Sequence, residues 1–74
     1  MAKRGRYSDK TKEQANLFID MMGGNIDDAH DMAFERSEMF WEDVKEGDRD
    51  EADAKDATTL TNYLGFLSRK NKNK

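Results

Sequence analysis

The chain has no proline and no cysteine. Without proline, no position is barred from a helix by ring geometry. Without cysteine, no disulfide can staple the fold and no thiolate can serve as nucleophile or metal ligand. A single histidine, His30, is too little to build a zinc site. Long apolar runs are missing as well. No stretch approaches the ~20 residues that a membrane span requires, and the basic opening from Met1 to Arg6 leads into no apolar signal core. The expected setting is therefore cytoplasmic, with no membrane partner. The length of 74 residues allows one domain, and so short a chain buries barely enough surface to offset its ordering entropy.

Charge is plentiful and sorted into blocks. Lys3, Arg4, Arg6, Lys10 and Lys12 against Asp9 give the first twelve residues a net +4. Arg69, Lys70, Lys72 and Lys74 give the end another +4. Between them, residues 27–56 hold 13 acidic and four basic side chains, a net −9 within a total of −3. Two basic termini flank an acidic middle, a pattern that points to electrostatic recognition.

The β-branched residues are too scattered for period-two strands, so helix is expected throughout, with glycines as punctuation. A first helix is predicted from Ser8, as N-cap, to Met22, and a second from Asn25, as N-cap, towards Glu46, where Gly47 stops it. A third is predicted from about Asp50 to Arg69, with Ala57, Leu60, Leu64 and Leu67 on one stripe. Gly65 interrupts that third pattern at a cost of roughly 1 kcal/mol relative to Ala unless a neighbour approaches closely there. The expected organisation is a basic arm at 1–7, a three-helix all-α domain at 8–69 and a basic tail at 70–74, with the termini partly disordered. On the first helix, Tyr7, Ala15, Leu17, Phe18, Ile19, Met21 and Met22 are expected to face the core.

The second helix has two unlike faces. At ~100° per residue, Met39, Met32, Ala29, Phe40, Ala33, Ile26, Val44, Ser37, His30, Trp41 and Phe34 fall in one arc of roughly 220°. Asp27, Asp28, Asp31, Glu35, Glu38, Glu42 and Glu46 occupy the remainder, relieved only by Lys45. Successive carboxylates every fourth residue stand ~6 Å apart along the axis, a spacing comparable with that of phosphates along a nucleic-acid strand. Such a face is either a solvated surface or a docking surface for a basic partner. Phe34 and Trp41 sit one heptad apart at the edge of the apolar arc, as core seam or as exposed anchors. Met21, Met22, Met32 and Met39 are expected to fill gaps in the core.

His30 at the border of an apolar stripe is expected to be structural. The run Asp48, Asp50, Asp53, Asp56 lacks the central Gly and terminal Glu of a calcium loop. No Ser-His-Asp set or phosphate-binding loop is present. No catalytic residue, cofactor or metal is therefore expected.

From Gly5 to Glu46 the chain resembles the helix-turn-helix segments of phage regulators, small terminase subunits and transposases. The likeness rests on Arg6-Tyr7-Ser8-Asp9, Gly23-Gly24-Asn25-Ile26, Ala29, Phe40, Trp41 and Val44. It implies a phage-type protein in a host cytoplasm, with a turn after Ala33 and a recognition helix in the DNA major groove. Phe34 stands at the family's turn glycine and Glu35 at the apolar position after it, whereas a continuous helix keeps one phase from Ile26 to Val44.

Three functions are thus expected, in this order. The first is a small non-catalytic regulator or inhibitor, docking its acidic face on a basic protein, a nucleic-acid-handling enzyme above all, with mimicry of nucleic acid as the extreme form. The second is a DNA-binding protein in which Lys3, Arg4, Arg6, Lys70 and Lys72 hold phosphates while Arg36 and Ser37 read bases. The third is a self-associating structural protein, a homodimer sealed by the wide apolar arc.

Overall fold

The computed structural model describes residues 7–72. Three helices follow one another: α1 (Asp9–Met21), α2 (Ile26–Lys45) and α3 (Glu51–Lys72). Their ends are written locally. The Ser8 side chain accepts from the Thr11 amide at 3.2 Å, and Asn25 Oδ1 accepts from the Asp28 amide at 3.0 Å. Each bond satisfies a donor that the first helical turn leaves unpaired.

Both connections begin with the same stop. After α1, Gly24 donates to the Ile19 carbonyl and Gly23 to that of Asp20; after α2, Asp48 donates to Asp43 and Gly47 to Val44. These are the paired 6→1 and 5→2 bonds of a Schellman motif, which require a left-handed residue just past the helix. Gly23 at φ +67° and Gly47 at φ +83° supply it.

No such stop precedes Lys72, and α3 continues three residues beyond the expected limit at Arg69. Lys70 and Lys72 therefore belong to a helix, and the expected tail reduces to Asn73 and Lys74, outside the described residues. The expected arm Met1 to Arg6 also lies outside them. Tyr7, assigned to that arm, belongs to the folded domain, because its ring meets Tyr63 of α3 at 4.8 Å between centroids.

α2 and α3 form an antiparallel hairpin. Trp41 bonds Thr58 near the loop, and Asp27 bonds Ser68 at the far end. The seam is built of small side chains, with Ala29, Ala33 and Ser37 of α2 buried, as are Ala54, Ala57 and Thr61 of α3. Small residues let helices pack at the short end of their usual separation. His30 reaches across the seam to the position where a Cβ on Gly65 would lie, 3.3 Å from its Nε2. That contact is the close approach that gives the mid-helix glycine a packing role.

α1 closes the bundle, and Ala15 and Phe18 join Ala29, Ala33, Leu60 and Leu64 in the core. Ile19, Met22, Met32, Tyr63 and Leu67 pack partly buried around it. Leu64 is the one large side chain fully enclosed among the described residues.

Several residues expected inside are outside. Leu17 and Met21 of α1, and Phe34 and Met39 of α2, are 49–66% exposed. In a three-helix bundle each helix has two neighbours, which together cover only the middle of a wide apolar arc. On α1, Leu17 points away from Ala15 and Met21 lies beyond the edge of the stripe formed by Ala15, Phe18, Ile19 and Met22, while Phe34 and Met39 mark the two edges of the arc on α2. Met22 and Met32 fill gaps as expected; Met21 and Met39 do not.

Candidate docking face

α2 runs without interruption through Phe34 and Glu35 for 20 residues, about 30 Å at ~1.5 Å per residue. Asp27, Asp28, Asp31, Glu35, Glu38 and Glu42 are all exposed along it, as is Glu46 at its C-cap. They differ in what they meet. Asp27 accepts from the Ser68 hydroxyl of α3, and Asp31 stands 3.9 Å from His30 Nδ1. Glu35, Glu38, Glu42 and Glu46 form no ion pair among the described residues.

Position along the helix separates these carboxylates further. Asp27 and Asp28 lie in the first turn, where the helix dipole favours negative charge. Glu42 and Glu46 lie at the opposite end, where it opposes them. The i, i+4 pairs Asp31/Glu35, Glu38/Glu42 and Glu42/Glu46 add like-charge repulsion of about 0.2–0.5 kcal/mol each, less as salt screens it. Lys45 in the last turn is the one cation of that turn, and it forms no ion pair with Glu42 or Glu46.

The same half borders a groove of about 780 Å³ between α2 and α3. Phe34, Met39 and Trp41 give it apolar surface, Glu35, Glu38 and Glu42 give it charge, and Thr58, Thr61 and Asn62 form the α3 side. The two expected anchors behave differently. Phe34 is half exposed, whereas Trp41 is half-buried and tethered, its Nε1 donating to Thr58 Oγ1 at 2.8 Å while Thr58 donates onward to the Ala54 carbonyl at 3.0 Å. The tether fixes the indole against α3.

Among the described residues expected to contact DNA, Arg36, Ser37 and Lys70 are not brought to one surface. Arg36 lies 4.5 Å from the Phe40 ring centroid and 5.5 Å from that of Phe18, half-buried towards α1. Ser37, expected to read bases, is 6% exposed inside the seam, and its hydroxyl donates to the Phe34 carbonyl at 2.7 Å. It has no surface from which to meet a base. Lys70 is exposed on α3, 6.0 Å from the Phe66 ring. Lys72 lies in the last turn of α3, and Lys3, Arg4 and Arg6 fall outside the described residues.

A residue with no evident sequence signal is Arg49. From the α2–α3 loop its guanidinium sits 3.8 Å from the Phe40 centroid, with Nε 3.5 Å from Asp43 and Nη1 3.6 Å from Asp53. It joins the end of α2 to the start of α3 by cation–π and charge contacts. Beside it, a cleft of about 280 Å³ runs between α1 and the hairpin, lined by residues that include Lys10, Arg36, Arg49, Asp53 and Asp56. Its charges are mixed and face one another. Among the described residues no three histidine, aspartate or glutamate side chains converge as a metal ion would require, and no helix is long and apolar enough to cross a membrane.

The chain matches no protein-family model, no curated protein and no solved structure.

Proposed function

We propose that the protein is a small non-catalytic regulator that docks the acidic face of α2 on a basic protein partner. The observation that carries this reading is the row Glu35, Glu38 and Glu42, exposed on one continuous helix and continued by Glu46 at its C-cap, with no ion pair to any of the four among the described residues. A carboxylate row that weakens its own helix is accounted for when lysine and arginine side chains of a partner complete it. Clustered charge of one sign also speeds encounter with the opposite sign.

A nucleic-acid-handling enzyme fits best as the partner, because its positive groove is built for charges spaced like these. Inhibition then follows from occupancy, the acidic helix standing where phosphates would lie. The phage-type origin implied by the helix-turn-helix resemblance agrees with such a role.

The test is affinity capture from the source cells with the native chain and with Glu35, Glu38 and Glu42 all reversed to Lys. The native chain is expected to retain a basic protein that the reversed chain loses, with equal helicity by circular dichroism. Equal capture by both removes the acidic face from the function. A salt-sensitive shift of random duplex DNA by the native chain alone would favour the DNA-binding reading instead.

A further inference from the structure

Mimicry of phosphates needs carboxylates and nothing else, yet the acidic half of α2 also exposes Phe34 and Met39, at 49% and 66%. Together with the tethered ring of Trp41 they line the groove between α2 and α3, whose lining also holds the exposed Glu35, Glu38 and Glu42 and, at its buried base, Ser37 and Thr61. Resting on the docking function above, we infer that what enters this groove is a basic amphipathic α-helix of the partner, apolar on one side and flanked by lysine or arginine.

Charge complementarity selects the sign of the occupant. The three glutamates have no internal cation among the described residues, so an incoming ammonium or guanidinium displaces no existing partner. Nucleic acid is repelled by the same carboxylates. The exposed apolar side chains of Phe34 and Met39, with the ring of Trp41, select an occupant that has side chains to bury against them, and a thioether such as Met39 adapts to more than one of them.

Backbone chemistry selects a helix over an extended strand. The groove is walled by two helices whose main-chain groups are already bonded internally, so it offers no edge on which a strand could pair. An extended segment would lay unsatisfied amides against the apolar side chains of Phe34, Met39 and Trp41, whereas a helix satisfies its own. Phe34 and Trp41 are two turns apart, about 10 Å along the axis at ~1.5 Å per residue. That length matches the i, i+3/i+4, i+7 anchors of an entering helix.

The chain holds a single tryptophan, and it lies in the groove, so its emission reports occupancy. The probes are two tryptophan-free peptides of leucine and lysine with the same composition. One is arranged so that its leucines form one helical face; the other is scrambled so that they do not. With the full chain at low salt, the amphipathic peptide is expected to shift the Trp41 emission to the blue and to bind about tenfold tighter or more than the scrambled one, roughly the effect of one well-buried apolar anchor. Phe34→Ser, and separately the triple Glu35, Glu38, Glu42→Gln, are each expected to weaken it about tenfold. Because all four side chains are exposed, circular dichroism of these variants should match the native chain.

Equal affinity for the two peptides with unchanged Trp41 emission would overturn the groove inference while leaving an acidic face that binds cations. Absence of binding to either peptide at low salt would overturn both the inference and the docking function. A Trp41 shift that appears on concentrating the protein alone, with dimers in sedimentation, would assign the groove to a second copy and overturn the inference.

Discussion

Trp41 and Thr58 are joined by a hydrogen bond of 2.8 Å from the indole Nε1 to the threonine Oγ1, across the two long helices. Thr58 in turn donates to the Ala54 carbonyl of its own helix. The bond holds a large aromatic ring at the edge of a seam otherwise made of alanine, serine, threonine and glycine. It thereby helps to shape the groove beside the acidic face.

Thr58→Val removes that acceptor at nearly constant volume and leaves a half-buried indole N–H without its partner. Stability should fall by about 1–2 kcal/mol, read from urea denaturation. Thr58→Ser keeps the hydroxyl and should recover most of the loss. A valine variant as stable as the native chain would show that the bond does not hold the ring.

Gly65→Ala sets two effects against each other. Helix propensity favours alanine by about 1 kcal/mol, but its Cβ would lie 3.3 Å from His30 Nε2. The single substitution should leave stability within about 0.5 kcal/mol of the native value, and the full gain of about 1 kcal/mol should appear only in a His30→Ala background. Thermal melts of the four chains of this cycle test the coupling. Strict additivity would remove the close contact as the reason for the glycine.

Gly47 adopts φ +83° with open space around it, so crowding is no obstacle to a side chain there and backbone conformation alone decides. Gly47→Ala should destabilise by roughly 1 kcal/mol and Gly47→Asn by less, since asparagine tolerates the left-handed region better. Equal losses in chemical denaturation would mean that a side chain's tolerance of the left-handed region does not set the cost.

Arg49→Lys keeps the charge but loses the planar group that lies over Phe40 and reaches both Asp43 and Asp53. A loss of about 1 kcal/mol is expected, similar to that of Arg49→Ala. Its stability in 1 M salt separates the two contributions, because screening removes the ion pairs and leaves most of the ring contact. Full retention of stability by the lysine variant would show that charge alone is at work.

Glu38→Gln with Glu42→Gln should raise stability by a few tenths of a kcal/mol at low salt, with the gain fading as salt rises. The same pair should weaken capture of the proposed basic partner. Opposite signs for stability and binding are the signature of charges kept for recognition; a loss in both would make these glutamates structural.

Much of the fold was legible because its signals are local. Ser8, Asn25, Gly23 and Gly47 lie within four residues of the groups they cap, and the stripe of Ala57, Leu60 and Leu64 on α3 is buried as its spacing requires. The exposure of Asp27, Asp28, Asp31, Glu35, Glu38, Glu42 and Glu46 followed equally, since they fall on the face of the helix opposite its apolar arc.

What tertiary structure decided is which apolar residues found a neighbour. Periodicity placed Leu17, Met21, Phe34 and Met39 on apolar faces, but two flanking helices cover a limited arc, and all four were left outside. Only the packed hairpin turned Phe34, Met39 and Trp41 into a groove shared with Thr58 and Thr61. It likewise drew Ser37 inside and brought Arg49 onto Phe40. Helix ends depend on atoms a few residues apart and can be read along the chain. The fate of a side chain at the edge of a helix face depends on how far a neighbour, distant in sequence, extends over it.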